Sequence, residues 1–301
     1  MWQNTYSDFI TTTTEVSSSI AGSMSGALKE PLFAAMTIYI ILYGWAVIRG
    51  SIQEPVMDFM FRAMKMLVVW TLVVSAGEYT SWVGSTITSG VPEFIDQLAG
   101  GHGGNKIPAD AIFRESGRMA EEVQKFYASQ GVSGKITGAL YWAIMMGAGT
   151  VVAAIVFAVS LLVTLGLTMM ASIGPLFIAF ALFDFSRGWF FSWLAQILNF
   201  GVLKLLVYVL GLVLIAMLQN AVEQSSVLSA GAAMFFFIGI LTASFFMFFL
   251  LPSLASALSS GAHASTGMAQ RWTERQLGLL SNKNGGGGDG DRGNAGSASK
   301  R

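Results

Sequence analysis

Of 301 residues, 53% are hydrophobic and only 11% charged, far below the roughly 25% charge of an ordinary globular chain, which excludes a large water-soluble protein. Seventeen Lys and Arg balance seventeen Asp and Glu, so no net field draws nucleic acid and the information lies in where the charges sit. The absence of cysteine excludes disulfides, thiolate metal sites, iron–sulfur clusters and cysteine nucleophiles, and two histidines leave little for an imidazole centre. Neither cofactor nor metal is expected.

Residues 1–31 contain eleven Ser or Thr, yet Trp2, Tyr6, Phe9, Thr13, Val16, Ile20 and Met24 recur at steps of three and four. That spacing predicts an external amphipathic helix, lying on the membrane or packed against a neighbouring subunit. Leu32 to Ile48 is uncharged and forms a first span; Ala63 to Gly77 forms a shorter second one, with Lys65 able to snorkel at its start. Between them, Ser51 and Glu54 have capping-box spacing and Pro55 suits a first turn, so a helix with Met57, Met60, Met64 and Met66 leads into the second span. Domain boundaries follow as 32–77 for this pair and 78–138 for a central external region. The central region contains the glycine-rich run 99–105, with His102 as a solvated loop residue. A helix starting near Pro108 and Asp110 follows it. Arg118–Glu122 and Glu121–Lys125 are its expected ion pairs, and Ile112, Met119, Val123, Phe126 and Tyr127 its apolar edge, covered by the chain's own spans or by a second protein.

From Ile136 to Phe183 no charge interrupts 48 residues, and the one break is Gly174-Pro175. One crossing plus a shorter re-entrant or interfacial piece fits, with two full crossings as the alternative. Within it Gly149, Ala153, Ser160, Thr164 and Ala171 align as a small-residue packing stripe, for which a pore lining is the competing reading. A further span covers Trp193 to Leu218. It carries Lys204, whose cost of about 2.5–3.5 kcal/mol at a helix centre is exceeded by sixteen Leu, Ile, Val and Phe worth roughly 0.3–0.6 kcal/mol each. Lys204 is the intramembrane charge and hence a functional candidate; it snorkels, or faces a subunit junction or hydrated path, with Gln196 and Asn199 on a neighbouring sector. The last span runs from Gly231 to Leu251 and stops at Pro252. Residues 139–252 thus form the C-terminal membrane unit with a hinge at 172–192, and 253–301 a tail, disordered after about 277.

Ten Lys and Arg lie in 49–65, 184–188 and 253–301 against six on the opposite flanks, which predicts an external N-terminus and a cytoplasmic C-terminus. No charged n-region precedes the first span, so it acts as its own insertion signal. In the tail, Gly288, Gly290 and Gly293 satisfy GxGxxG, and Gly286, Gly288 and Asp289 a GxGD string, but both reflect glycine density: a dinucleotide fingerprint needs a strand before it and a helix after it. No enzyme is expected.

The richest segment, ASIGPLFIAFALFDFSRGWFFSWLAQILNF from Ala171 to Phe200, joins a Gly-Pro break to an aromatic run, an Asp-x-x-Arg hinge and a Trp-initiated span. It resembles the TrbL/VirB-six family, polytopic inner-membrane subunits of type IV secretion systems. Gly174, Pro175, Phe183, Arg187, Trp193 and Gln196 match the family pattern, whereas Asp184-Phe185-Ser186 stands where many relatives have a Pro or small residue followed by Thr. The resemblance implies a non-enzymatic role in channel assembly, pilus biogenesis and passage of DNA or protein substrates, and it makes the external N-terminus and the central region 78–138 periplasmic. It also implies assembly partners in membrane lipid, sibling copies forming a homo-oligomer, pilus subunits and other inner-membrane complex proteins. Gly174, Pro175, Phe183, Asp184, Arg187, Trp193, Gln196 and Asn199 are then the assembly and hinge residues. The expected fold is an all-α integral membrane protein of about five spans, with a Gly-Pro-broken segment and external amphipathic helices.

Overall fold

The computed structural model describes residues 2–51, 55–98, 107–224 and 230–276, and among them every regular element is helical. The first helix, α1 (Trp2–Ile48), has 47 residues, about 70 Å at 1.5 Å per residue, twice the roughly 30 Å of a bilayer core. The expected border at 31/32 is therefore not a break. Pro31 sits inside one continuous helix, and the external helix and the first span are a single rod.

The packed face of this rod follows the expected stripe at Trp2, Tyr6, Phe9 and Thr13 and departs from it at Val16 and Ile20. Tyr6, Ser17, Ala21, Ser25 and Leu32 are buried, whereas Val16 and Ile20 are exposed. Small and hydroxyl-bearing side chains take the helix contact because they let the two backbones approach closely.

Gly50, at φ +72°, turns the chain into α2 (Pro55–Val74). Glu54, and with it half of the expected capping box, lies outside the described residues. On α2, Met57, Met60 and Met64 are exposed and Met66 is buried. A short turn, α3 (Ala76–Glu78), leads into two π-helical turns, Tyr79–Gly84 and Thr86–Gly90, and into α4 (Val91–Leu98). Val56–Val74 and Tyr79–Ile95 meet at 88°, so the second span is bent in its course. Residues 79–98, the start of the expected central region, pack against the helix bundle.

The central helix is α5 (Ala109–Ala128). Its Ile112, Met119 and Val123 are fully buried within the chain, Tyr127 is partly buried and Phe126 is half exposed. Its ion pairs join Arg118 to Glu115 at 2.8 Å and Lys125 to Glu122 at 3.9 Å, a spacing of three where four was expected. After Gly131 at φ +95°, α6 (Val132–Ser172) runs back along α5 as one uninterrupted helix. The stretch 136–183 therefore makes one long helix followed by α7 (Gly174–Phe180), not two crossings. Then come α8 (Arg187–Gln224) and α9 (Ala230–Gln276). Pro252 does not end the last helix, which continues through it. Among the described residues four helices are long and apolar enough to span a membrane, and the bent pair makes a fifth. The tail after 276, the run 99–105 with His102, and the glycine strings of the tail lie outside the described residues.

Candidate functional site

The Gly174-Pro175 break creates a local deficit. Pro175 has no N–H to give to the carbonyl of Ala171, and a carbonyl left bare in a membrane interior costs several kcal/mol. The Tyr79 hydroxyl, brought in by the bend after α2, donates to the Ala171 carbonyl. One residue earlier, Trp193 Nε1–H of α8 donates to the Met170 carbonyl at 2.9 Å. Two residues earlier still, Ser17 of α1 donates to the Thr168 carbonyl at 3.0 Å, and Ser172 Oγ lies 2.9 Å from Ser17 Oγ. The end of α6 is thus capped by side chains from three separate segments. Gly174 is required there: a Cβ would overlap the Tyr79 hydroxyl.

Packing fixes these donors. Trp193 is 4% exposed, stacked on Phe177 at 6.1 Å and flanked by Phe190 at 5.7 Å. Beyond α7, Ser186 Oγ, itself buried, donates to the Phe180 carbonyl at 2.8 Å and ties the loop shut. Asp184 and Arg187 form a 3.7 Å ion pair, Lys65 Nζ donates to the Leu182 carbonyl at 3.1 Å, and Phe183 meets Tyr39 edge-on at 6.1 Å. Trp189 and Phe185 remain exposed.

The structure divides the other candidate residues into separate places. Gln196 is exposed; Asn199 lies 3.5 Å from it and accepts from Ser259 at 3.0 Å, so the amides link α8 to α9. Lys204 lines a different space: a narrow, partly open cleft of about 10 Å³, bordered by Tyr6, Thr14, Thr88, Pro92, Thr164 and Thr168. There the Tyr6 hydroxyl and Thr164 Oγ1 are 2.8 Å apart. On α6, Ala153, Ser160 and Ala171 are buried, Thr164 is partly so, and Gly149 sits so close under Ser116 that a Cβ would clash. This stripe is occupied by the chain's own helices.

Sequence reasoning missed Tyr79 and Ser17, and gave Asp110 only as a start signal of its own helix. Asp110 accepts from the backbone N–H groups of Trp2 at 3.2 Å and Gln3 at 2.8 Å, capping α1 across 107 residues of sequence. A proline inside an apolar run announces orphan carbonyls, but nothing local names the distant groups that satisfy them.

The family model described as "TrbL/VirB6 plasmid conjugal transfer protein" matches residues 36–251, an interval that includes Tyr79, the Gly-Pro break, Trp193 and Lys204. The chain belongs to the TrbL/VirB6 family. Among its curated relatives, the type IV secretion system protein VirB6 of Bartonella henselae is 26% identical over 250 residues, covering 82% of this chain and 75% of the relative. Protein VirB6 of Agrobacterium fabrum is 28% identical over 233 residues, covering 73% and 70%. The match leaves out the first 35 residues, so the hydroxyl-rich half of α1 that packs on α6 lies outside the shared family core.

Proposed function

We propose that the chain is a non-enzymatic scaffold and channel component of the bacterial inner membrane within a type IV secretion system, supporting pilus biogenesis and the translocation of DNA or protein. The observation that carries this reading is the family match over 36–251, together with relatives named as type IV secretion proteins. The arrangement at the elbow supports it in kind: side-chain donors spent on capping carbonyls hold a framework together. The chain's apolar exterior supports it as well. Ile41, Leu42, Leu67, Val68, Phe235 and Phe249 are all more than half exposed, which suits lipid, sibling copies in a homo-oligomer and other secretion subunits, pilus subunits included. The bias of Lys and Arg supports an N-terminus in the periplasm, with the elbow and C-terminus on the cytoplasmic side.

The test is extraction of the tagged chain in a mild detergent, followed by identification of co-purifying proteins. Recovery of pilus or secretion-channel subunits is expected; their consistent absence at full membrane expression refutes the proposal. A second reading, a small-solute or ion transporter, is favoured by the Lys204 pocket. Uptake by the chain alone in liposomes, abolished by Lys204→Met, would support it.

A further inference from the structure

The loop that closes the elbow gathers cations beyond what its own acids neutralise. Lys65 stands at the centre: its ammonium donates to the Leu182 carbonyl, which satisfies a hydrogen bond without offsetting charge. Arg62, Asp184 and Arg187 are the charged groups close enough to act on it. Arg62 is already held by Asp58 at 2.7 Å, and Arg187 meets Asp184 at the longer distance of 3.7 Å, with the Asp184 side chain 75% exposed. Among the described residues three cations stand against two carboxylates, which leaves a positive site, and the longer of its two ion pairs faces outward.

The surroundings are amphipathic in a matching way. Phe185 is 87% exposed and Trp189 57%, on either side of Arg187, while Met64, Leu67 and Val68 present an uncovered apolar face on α2 beside Lys65. Between the aromatics, Gly188 opens the first turn of α8: a Cβ there would meet nothing within 4 Å, and the helix start adds its own positive end. Cations at the level of an aromatic pair, with apolar helix surface adjoining, match a headgroup phosphate above acyl chains. Basic pockets between membrane helices take anionic headgroups in this manner.

We propose that the cluster of Lys65 and Arg187, with Arg62 behind it, binds the phosphate of an anionic phospholipid, whose acyl chains lie along the exposed face of α2. Phosphatidylglycerol is a sufficient ligand on this account, and phosphatidylcholine, with its own cation, is not. The site is independent of any secretion role, since it requires only that the elbow lie at a membrane surface.

The experiment uses the full chain purified in a neutral detergent, given trace phosphatidylglycerol or phosphatidylcholine, with retained lipid counted by native mass spectrometry. Preferential retention of phosphatidylglycerol is expected, falling about tenfold in Lys65→Gln/Arg187→Gln. Because that double variant alters elbow contacts, Asp184→Asn is the second arm. It removes an exposed carboxylate and should raise phosphatidylglycerol retention several-fold, while Arg49→Gln, outside the cluster, leaves it unchanged. Equal retention of the two lipids overturns the proposal, as does a double variant that retains phosphatidylglycerol like the wild type or an Asp184→Asn variant that gains nothing. Displacement of the lipid by millimolar inorganic phosphate alone also overturns the lipid assignment, since it would mark a simple anion site.

Discussion

Replacing Trp193 by Phe removes one donor and little else. Phe keeps an aromatic ring over Phe177, 6.1 Å away and nearly parallel at 6°, but the Met170 carbonyl loses the Nε1–H that reaches it at 2.9 Å. A buried acceptor stripped of its partner costs about 1–3 kcal/mol in soluble proteins. Interhelical hydrogen bonds within membranes average about 0.6 kcal/mol and reach about 1.7. The Gly-Pro break removes the backbone alternative next door, so the upper part of the membrane range applies and about 1–1.5 kcal/mol is expected. Trp193→Ala also loses the ring contacts with Phe177 and Phe190, and buried Trp→Ala changes run to about 3–5 kcal/mol. Insertion is unaffected in both, because the sixteen aliphatic and Phe residues between Leu194 and Leu218 suffice for it. The assay is reversible unfolding in mixed detergent micelles followed by far-UV circular dichroism, alongside membrane abundance. The reasoning fails if Trp193→Phe matches the wild type within about 0.3 kcal/mol, or if Trp193→Ala is lost from the membrane before it is lost from complexes.

Gly174→Ala drives a methyl into the Tyr79 hydroxyl and should destabilise by about 1–3 kcal/mol, the usual range for overpacking; combination with Tyr79→Phe should recover part of the loss, and strict additivity would count against the contact. Ser17→Leu is expected to destabilise by a similar amount, about 1–3 kcal/mol, whereas Val16→Leu on the exposed side of the same turn is silent in the same unfolding assay. Asp110→Asn weakens the acceptor for the Trp2 and Gln3 N–H groups, at about 0.5–2 kcal/mol for a lost helix cap; faster protease cleavage near the start of α1 is the readout.

Residues that announce themselves locally were legible in the sequence. A Gly-Pro pair in a 48-residue uncharged run marks the elbow, and the capping and apolar spacing around Pro108 to Tyr127 places α5. What was not legible depends on pairings far apart in the chain. Tyr79 serves a carbonyl 92 residues away, and its own neighbourhood, Glu78-Tyr79 beside Trp82, reads equally well as an aromatic belt at the end of a span. Along α1 the expected stripe is the packed face at Trp2, Tyr6, Phe9 and Thr13 but not at Val16 and Ile20, because periodicity finds apolar positions without saying which neighbour they face. Ser17, Ala21 and Ser25 looked like the outside and are the contact. At Pro31 and Pro252 the expected helix ends are absent, because lipid offers an alternative conformation no partner for the freed backbone groups, and continuing the helix keeps the rest satisfied.

The account depends most on where the elbow stands relative to the membrane. The chain has no cysteine, so Phe185→Cys and Ser129→Cys each provide a single thiol for labelling with a membrane-impermeant maleimide in cells whose outer membrane has been opened. Ser129→Cys should react at once, and Phe185→Cys only after the inner membrane is permeabilised. Prompt labelling of Phe185→Cys from the periplasmic side would contradict the orientation and, with it, the proposed assembly through a cytoplasmic elbow.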